Sequence, residues 1–216
     1  MMRHWITAGS CIMALLCGAP AAIPEATAAD TARTQQLLAQ VRQQVRIAPV
    51  VRGQFEQLKT VQGFKQPLRS SGDFVVAQGK GIAWQVRQPF ASTLLVRPDS
   101  LQSRTSEGAI NMQLNAVQEP ILRAINAMLF AVMSADLDKL TQYFEVTGQV
   151  QPKGWALHLV PRDPMMAQWL QHVNLQGQQF VQEVQLQEAR GDRSLIRIHD
   201  AVADTVLRPS DAAVFE

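Results

Sequence analysis

The chain has 216 residues, 20 basic and 18 acidic side chains for a formal charge of +2, and 47% apolar residues. That apolar fraction excludes intrinsic disorder, and the near balance of charge excludes nucleic-acid binding through a general basic field. The length fits one domain with or without an extension. Only 18% of residues are charged, yet Gln occurs 26 times, so the expected surface is polar and weakly charged.

At the N-terminus Arg3 and His4 precede an apolar run, Ile12 to Ala22, and then Ala26-Thr27-Ala28 supplies small residues two apart. A positive start, a short apolar core and an A-x-A site form the pattern of a secretory signal peptide, with the cut expected after Ala28. Residues 1–28 are therefore read as leader and 29–216 as the working domain. A membrane span would need roughly 20 apolar residues, and Gly18, Pro20 and Pro24 interrupt this run. Cys11 and Cys17 both fall in the leader, so the mature chain is expected to have neither a disulfide nor a thiolate. Leu16 before Cys17 and Ala8-Gly9-Ser10 before Cys11 fit a lipid-anchoring site poorly. Loss of Arg3 and Glu25 leaves 19 basic against 17 acidic residues, still +2.

Thr34, Leu37, Leu38, Val41 and Val45 recur at three- and four-residue steps among Gln and Arg, which predicts an amphipathic helix over 31–47, ended by Pro49. Period-two runs follow: Val51, Gly53, Phe55; Gly72, Phe74, Val76; Ile82, Trp84, Val86; and Leu94, Val96. Polar residues such as Asp73, Gln85 and Arg87 fill the alternate positions, as in half-buried antiparallel strands. Gln62-Gly63, Gln78-Gly79-Lys80-Gly81 and Arg97-Pro98-Asp99 supply turns. Glu119-Pro120 then opens a second predicted helix, over 120–133. Ile121, Leu122, Ile125, Met128, Leu129, Val132 and Met133 line one side of it, and Ala124, Ala127, Phe130 and Ala131 the other. A helix apolar almost all round is either buried or covers an apolar cavity. After a turn at 136–140, strands resume at Phe144–Val150, Trp155–Leu159, Phe180–Leu186 and Ser194–Ile198. The fold class is α+β: a curved antiparallel sheet forming an incomplete β-barrel, with helices covering its concave apolar face.

Local signatures of chemistry are absent from this reading. His158, His172 and His199 stand singly in strand-like stretches, with His158 and His199 on the polar phase, and no H-E-x-x-H, G-x-S-x-G, P-loop or dinucleotide fingerprint occurs. Asp136 with Asp138, and Glu183 with Glu188, read as solvated carboxylates. No catalytic residue, metal or cofactor is expected. The informative feature is an apolar surplus: Phe55, Phe74, Trp84, Trp155 and Phe180 on one sheet face, with flexible Met112, Met128, Met133, Met165 and Met166 nearby in sequence. Pattern alone leaves an ordinary core and a cargo cavity equally open.

The order of these segments resembles the LolA-type periplasmic carriers of outer-membrane lipoproteins. The likeness is carried by Phe55-Glu56-Gln57, by Ser71-Gly72-Asp73-Phe74 followed by Ile82-Ala83-Trp84 and Gln88-Pro89, by the strand from Gly154 to Pro161, and by Ile196-Arg197-Ile198 with a closing Ala213-Val214-Phe215. It implies a periplasmic monomer that shelters acyl chains and is not an enzyme. An inner-membrane exporter would act as donor and an outer-membrane component as acceptor. Phe55, Phe74, Trp84, Val86, Leu94 and Leu157 would line the floor, and Leu122, Ile125, Met128 and Leu129 of the second helix would face the cargo as a lid, helped by the first helix. Carriers of this type hold the lid shut with an Arg of an Arg-Pro pair. The corresponding positions here read Gln78-Gly79, so Gln78 is the lid-contact candidate, without charge or bidentate fork. The runs Gly63–Leu68 and Gln88–Ser92 resemble a divergent subgroup associated with export of aryl-polyene or similar lipid-like products, so lipoprotein and other lipid cargo both remain open. A lipid-sensing regulatory module of the same fold is the alternative reading, and a hydrolase with a dispersed site a third.

Overall fold

The computed structural model of the protein describes residues 25–115, Phe130 and 137–216. A first helix α1 (Glu25–Gln44) leads into six strands: β1 (Val50–Thr60), β2 (Leu68–Ala77), β3 (Gly81–Gln88), β4 (Ser92–Val96), β5 (Ser100–Thr105) and β6 (Ile110–Asn115). Beyond residues 116–136 come a single 3-10 turn (Leu137–Lys139), a short helix α2 (Leu140–Tyr143) and strands β7 (Phe144–Gln151) and β8 (Gly154–Pro161). A one-turn helix α3 (Pro164–Ala167), strands β9 (Leu170–Gly177), β10 (Val181–Glu188) and β11 (Arg193–Asp204), and helix α4 (Pro209–Val214) complete the chain.

All eleven strands form one sheet in the order β6-β5-β4-β3-β2-β1-β11-β10-β9-β8-β7, with antiparallel neighbours throughout. The chain starts in the middle of the sheet, runs outward to the β6 edge, re-enters at the β7 edge and returns to the middle, where β11 pairs with β1. Nine of the ten pairings join consecutive strands, which the short turns of the sequence dictate. The tenth joins the two halves, with Phe55 opposite Ile198 and Leu58 opposite Leu195.

Alternation along the strands sorts side chains onto two faces. On the concave face, Val51, Phe74, Val76, Ile82, Val96 and Leu101 form one buried cluster in the β1–β6 half. In the other half, Phe144, Val146, Trp155, Leu157, Leu159, Val173 and Leu175 form a second, joined by Leu38 and Val41 of α1. Leu38 and Val41 are 1% and 0% exposed, so α1 belongs to the core of that half. Arg42 fastens it to Asp138 at 2.8 Å, and the Thr34 hydroxyl donates to the Val146 carbonyl at 3.3 Å. Gly53 sits where the β1–β11 register shifts; a Cβ there would lie 2.8 Å from the Phe74 ring and 2.9 Å from the His199 carbonyl. The missing side chain lets the Phe74 ring approach β1 closely.

Several sequence expectations change. The first helix runs from 25 to 44 rather than from 31 to 47, and passes through the expected cleavage point after Ala28. Strands β5, β6 and β9 lie where the sequence pattern predicts none, and Phe180 lies in the β9–β10 turn, ahead of β10. Helical cover is not confined to the concave face: α4 docks on the convex side, where Leu207, Val214 and Phe215 meet Val50, Val75, Ala77, Ala83 and Leu95. The predicted helix over 120–133 lies outside the described residues except for Phe130.

Candidate functional site

The concave face of the β1–β6 half is the candidate site, because its registers bring the expected floor residues into one patch. Phe74 stands opposite Trp84, Trp84 opposite Leu94, and Gly72 opposite both Phe55 and Val86. Phe55 and Trp84 stack with ring centroids 3.8 Å apart, and Phe74 extends the stack at 6.0 Å from Trp84. Phe55 and Phe74 are buried beneath, whereas Trp84, Val86 and Leu94 are half-buried and keep accessible apolar surface. Gly72 lets β3 approach closely, since a Cβ there would meet the Gln85 carbonyl. An aromatic base under a partly open aliphatic and indole layer is a surface that gains free energy by covering apolar atoms.

Leu157 does not join this patch. It is 2% exposed within the cluster under α1, so it is core of the other half. Leu122, Ile125, Met128 and Leu129 lie outside the described residues. Phe130 packs against the patch together with Leu114, Phe180, Ile198 and Ala201. Sequence reasoning missed Leu101 and Leu114; their only signal was a weak alternation, Leu101-x-Ser103 and Met112-x-Leu114, in segments rich in Gln, Ser and Asn. Gln78 is exposed in the β2–β3 turn at one end of the sheet, and its backbone N–H donates to the Pro49 carbonyl at 2.9 Å.

A mainly apolar cleft marks where the two halves meet at the C-terminal end of α1, lined by Val45, Val51, Phe74, Phe180, Val181, Ile198 and Ala201, with Arg46 beside them. Its volume of about 20 Å³ accommodates one water molecule and no acyl chain. The Arg46 N–H donates to the Gln179 carbonyl at 2.8 Å and the Gln44 amide to the Gln151 carbonyl at 2.8 Å, closing this end.

The strongest electrostatic feature lies on the opposite, convex face. Arg52, buried in β1, bonds Asp204 at 2.5 Å and Asp211 at 2.7 Å, tying α4 to the sheet. Burial opposes its charge, but the two carboxylates outweigh it and hold the guanidinium above its ordinary pKa; the Arg52 hydrogen bond in turn holds Asp204 below the usual carboxylate range. The Arg97 guanidinium donates to the Phe215 carbonyl at 2.6 Å, completing the attachment. On the convex face of the other half, the His158 and His172 rings lie 5.1 Å apart, and His158 Nδ1 is 2.7 Å from Asn174 Oδ1. Burial first, and then the neighbouring His158, lowers the pKa of His172. Among the described residues no group of three or more His, Cys, Asp or Glu could hold a metal, and no helix is long and apolar enough to cross a membrane.

The partly exposed Trp84, Val86 and Leu94 form an apolar trough on an open antiparallel sheet, and the chain that folds it matches a known family. The model of the outer membrane lipoprotein carrier protein LolA-like family matches residues 13–208. The chain belongs to this family. Among solved structures, the LolA-like chain is similar to a LolA superfamily protein from Nitrosomonas europaea at 10% identity, covering 85% of this chain and 97% of that one with a TM-score of 0.48. It is also similar to a DUF1329 family protein from Desulfovibrio piger at 10% identity, covering 86% and 96% with a TM-score of 0.47. No curated protein sequence matches the chain. The LolA-like assignment fits the sheet described above, whose strand order among the described residues ends at β6 on one side and β7 on the other.

Proposed function

We propose that the protein is a periplasmic carrier that holds the acyl chains of a lipoprotein, or another lipid-like cargo, against the concave face of β1–β6. The observation that carries this reading is the half-buried layer of Trp84, Val86 and Leu94 over the Phe55–Trp84 stack, within a chain of the LolA-like family. Burying each CH₂ contributes roughly 0.8 kcal/mol, so a chain of about fourteen carbons gains on the order of 10 kcal/mol before ordering costs. The closed cleft at the end of α1 means that cargo must first displace groups now packed on the trough, Phe130 among them. That displacement offsets part of the gain and keeps binding reversible, as transfer from an inner-membrane donor to an outer-membrane acceptor requires. The reading calls for no catalytic group.

Fluorescence titration with a long-chain acyl probe tests it. The purified protein is expected to saturate near one site, and Trp84→Ala to weaken binding about tenfold. Absence of saturable binding would sink the proposal. Native mass spectrometry of protein isolated from its own cell envelope would then identify the cargo by the mass of the co-purifying ligand.

A further inference from the structure

The exposed Phe and Trp side chains among the described residues all project from one end of the sheet. Phe64 in the β1–β2 loop is 65% exposed, Phe90 in the β3–β4 loop 83%, and Trp169, just before β9, 55%; Leu68 and Met165 at the same end are 53% and 60% exposed. The registers place these loops together: Lys59 faces Leu68, Ser71 faces Gln88, and Thr60 faces Arg193. Hydrogen bonds join the rim, with the Gln62 N–H donating to the Asp192 carboxylate and the Ala189 N–H to the Trp169 carbonyl, each at 2.9 Å. The turns at the other end, 78–80, 97–99, 152–153 and 178–180, are built mainly from Gln, Gly, Lys, Arg, Pro and Asp.

Charge is arranged around the aromatic tips. Lys65 follows Phe64, Arg69 follows Leu68, Arg87 precedes Phe90 by three residues, and segments 61–69 and 87–92 contain no acidic residue. Arg87 pairs with Asp73, while Arg190 sits over the Trp169 ring, 5.2 Å from its centroid. Of the acids at this end, Asp163 and Asp192 accept backbone N–H groups of Met165 and Gln62, Glu188 pairs with Lys59, and Glu107 is exposed in the β5–β6 loop.

We propose that this end of the sheet docks on an anionic phospholipid bilayer surface. Phe64, Phe90 and Trp169 enter the headgroup region, and Lys65, Arg69 and Arg190 meet lipid phosphates. Aromatic side chains partition to the membrane interface, and basic residues near it are drawn by the negative surface potential. The spacing favours a bilayer over a protein partner: the apolar tips stand on separate loops, those of β1–β2 and β3–β4 roughly 10 Å apart by two strand spacings, whereas protein hot spots cluster in one desolvated patch. The surface is distinct from the trough, so the inference stands apart from the identity of the cargo.

Co-sedimentation with vesicles tests it. Phosphatidylcholine vesicles containing about one quarter phosphatidylglycerol should pellet the purified protein better than phosphatidylcholine alone. The double substitution Phe64→Ser, Phe90→Ser should weaken this about tenfold or more with an unchanged circular dichroism spectrum, because both sites are exposed loops. Lys65→Gln with Arg69→Gln should remove the preference for the anionic lipid, and Ile47→Ser with Val206→Ser, exposed at the other end, should bind like the parent protein. No pelleting with either vesicle would overturn the proposal and return the rim to a protein partner; so would undiminished binding by the double Phe variant, or an equal loss in the opposite-end variant.

Discussion

The two halves of the sheet are built from the same kind of strand and differ in what fills their concave face. In the β7–β11 half, α1 drives Leu38 and Val41 into a cluster that includes Phe144, Leu157 and Leu159, with nothing left accessible at its centre. The β1–β6 half buries its aromatic base yet keeps Trp84, Val86 and Leu94 half-buried above it. One half therefore supplies stability, and the other retains apolar surface that a ligand can cover. Both halves bury an apolar core, and only the β1–β6 half also leaves a half-buried indole and aliphatic layer above it.

The largest expected effect tests the filled half. Phe144→Ala should lower unfolding free energy by about 3–5 kcal/mol in urea denaturation, because a fully buried ring leaves a cavity. Trp84→Ala should cost about 2 kcal/mol, the indole being half-buried, while probe affinity drops. Equal stability losses at the two sites would break the comparison. On the convex face, Asp211→Asn should cost about 1–2 kcal/mol by leaving buried Arg52 with Asp204 as its remaining carboxylate, read as a lower urea midpoint with little change in probe binding.

Two smaller effects appear against pH. Asp204 has its pKa lowered by Arg52, so the unfolded chain takes up its proton first on acidification. Its stabilising contribution is present above the unfolded value near pH 4 and is lost as pH falls through the lower folded value. The acid-side decline of the urea midpoint should be shallower in Arg52→Gln. His172 is a base whose folded pKa lies below the ordinary histidine value of 6.5. The unfolded state again binds the proton first, so stability is full above about pH 6.5 and declines below it. NMR titration should place the His172 midpoint below that of a free imidazole, and His158→Gln should move it upward.

Strong alternation with large side chains made much of this architecture legible. Phe55, Phe74, Trp84, Trp155 and Leu157 each mark a strand and its inward phase, and the Gly- and Pro-bearing turns separate the strands. Strands β5 and β6 were not legible, because Gln102, Arg104, Asn111 and Gln113 interrupt an already sparse apolar pattern, and their pairing depends on β4. Leu157 shows a deeper limit. Period-two alternation reports which face a residue occupies, but not what stands over that face. That Leu157 meets α1 while Trp84 does not follows from where α1 crosses the sheet, through contacts with β7 and β8 that lie roughly a hundred residues away in sequence. The helix at the C-terminus was invisible for the same reason: its six residues have meaning only against Val50, Ala83 and Leu95.

The pairing of β1 with β11 also sets the order of assembly. Strand β1 is synthesised first, yet the partner on its second side comes almost last, and the α4 segment that covers its convex face later still. Until then β1 presents an open hydrogen-bonding edge, the feature that promotes edge-to-edge association. Contacts so distant in the chain close slowly. The strand that begins the sheet is therefore among the last to have both of its edges paired.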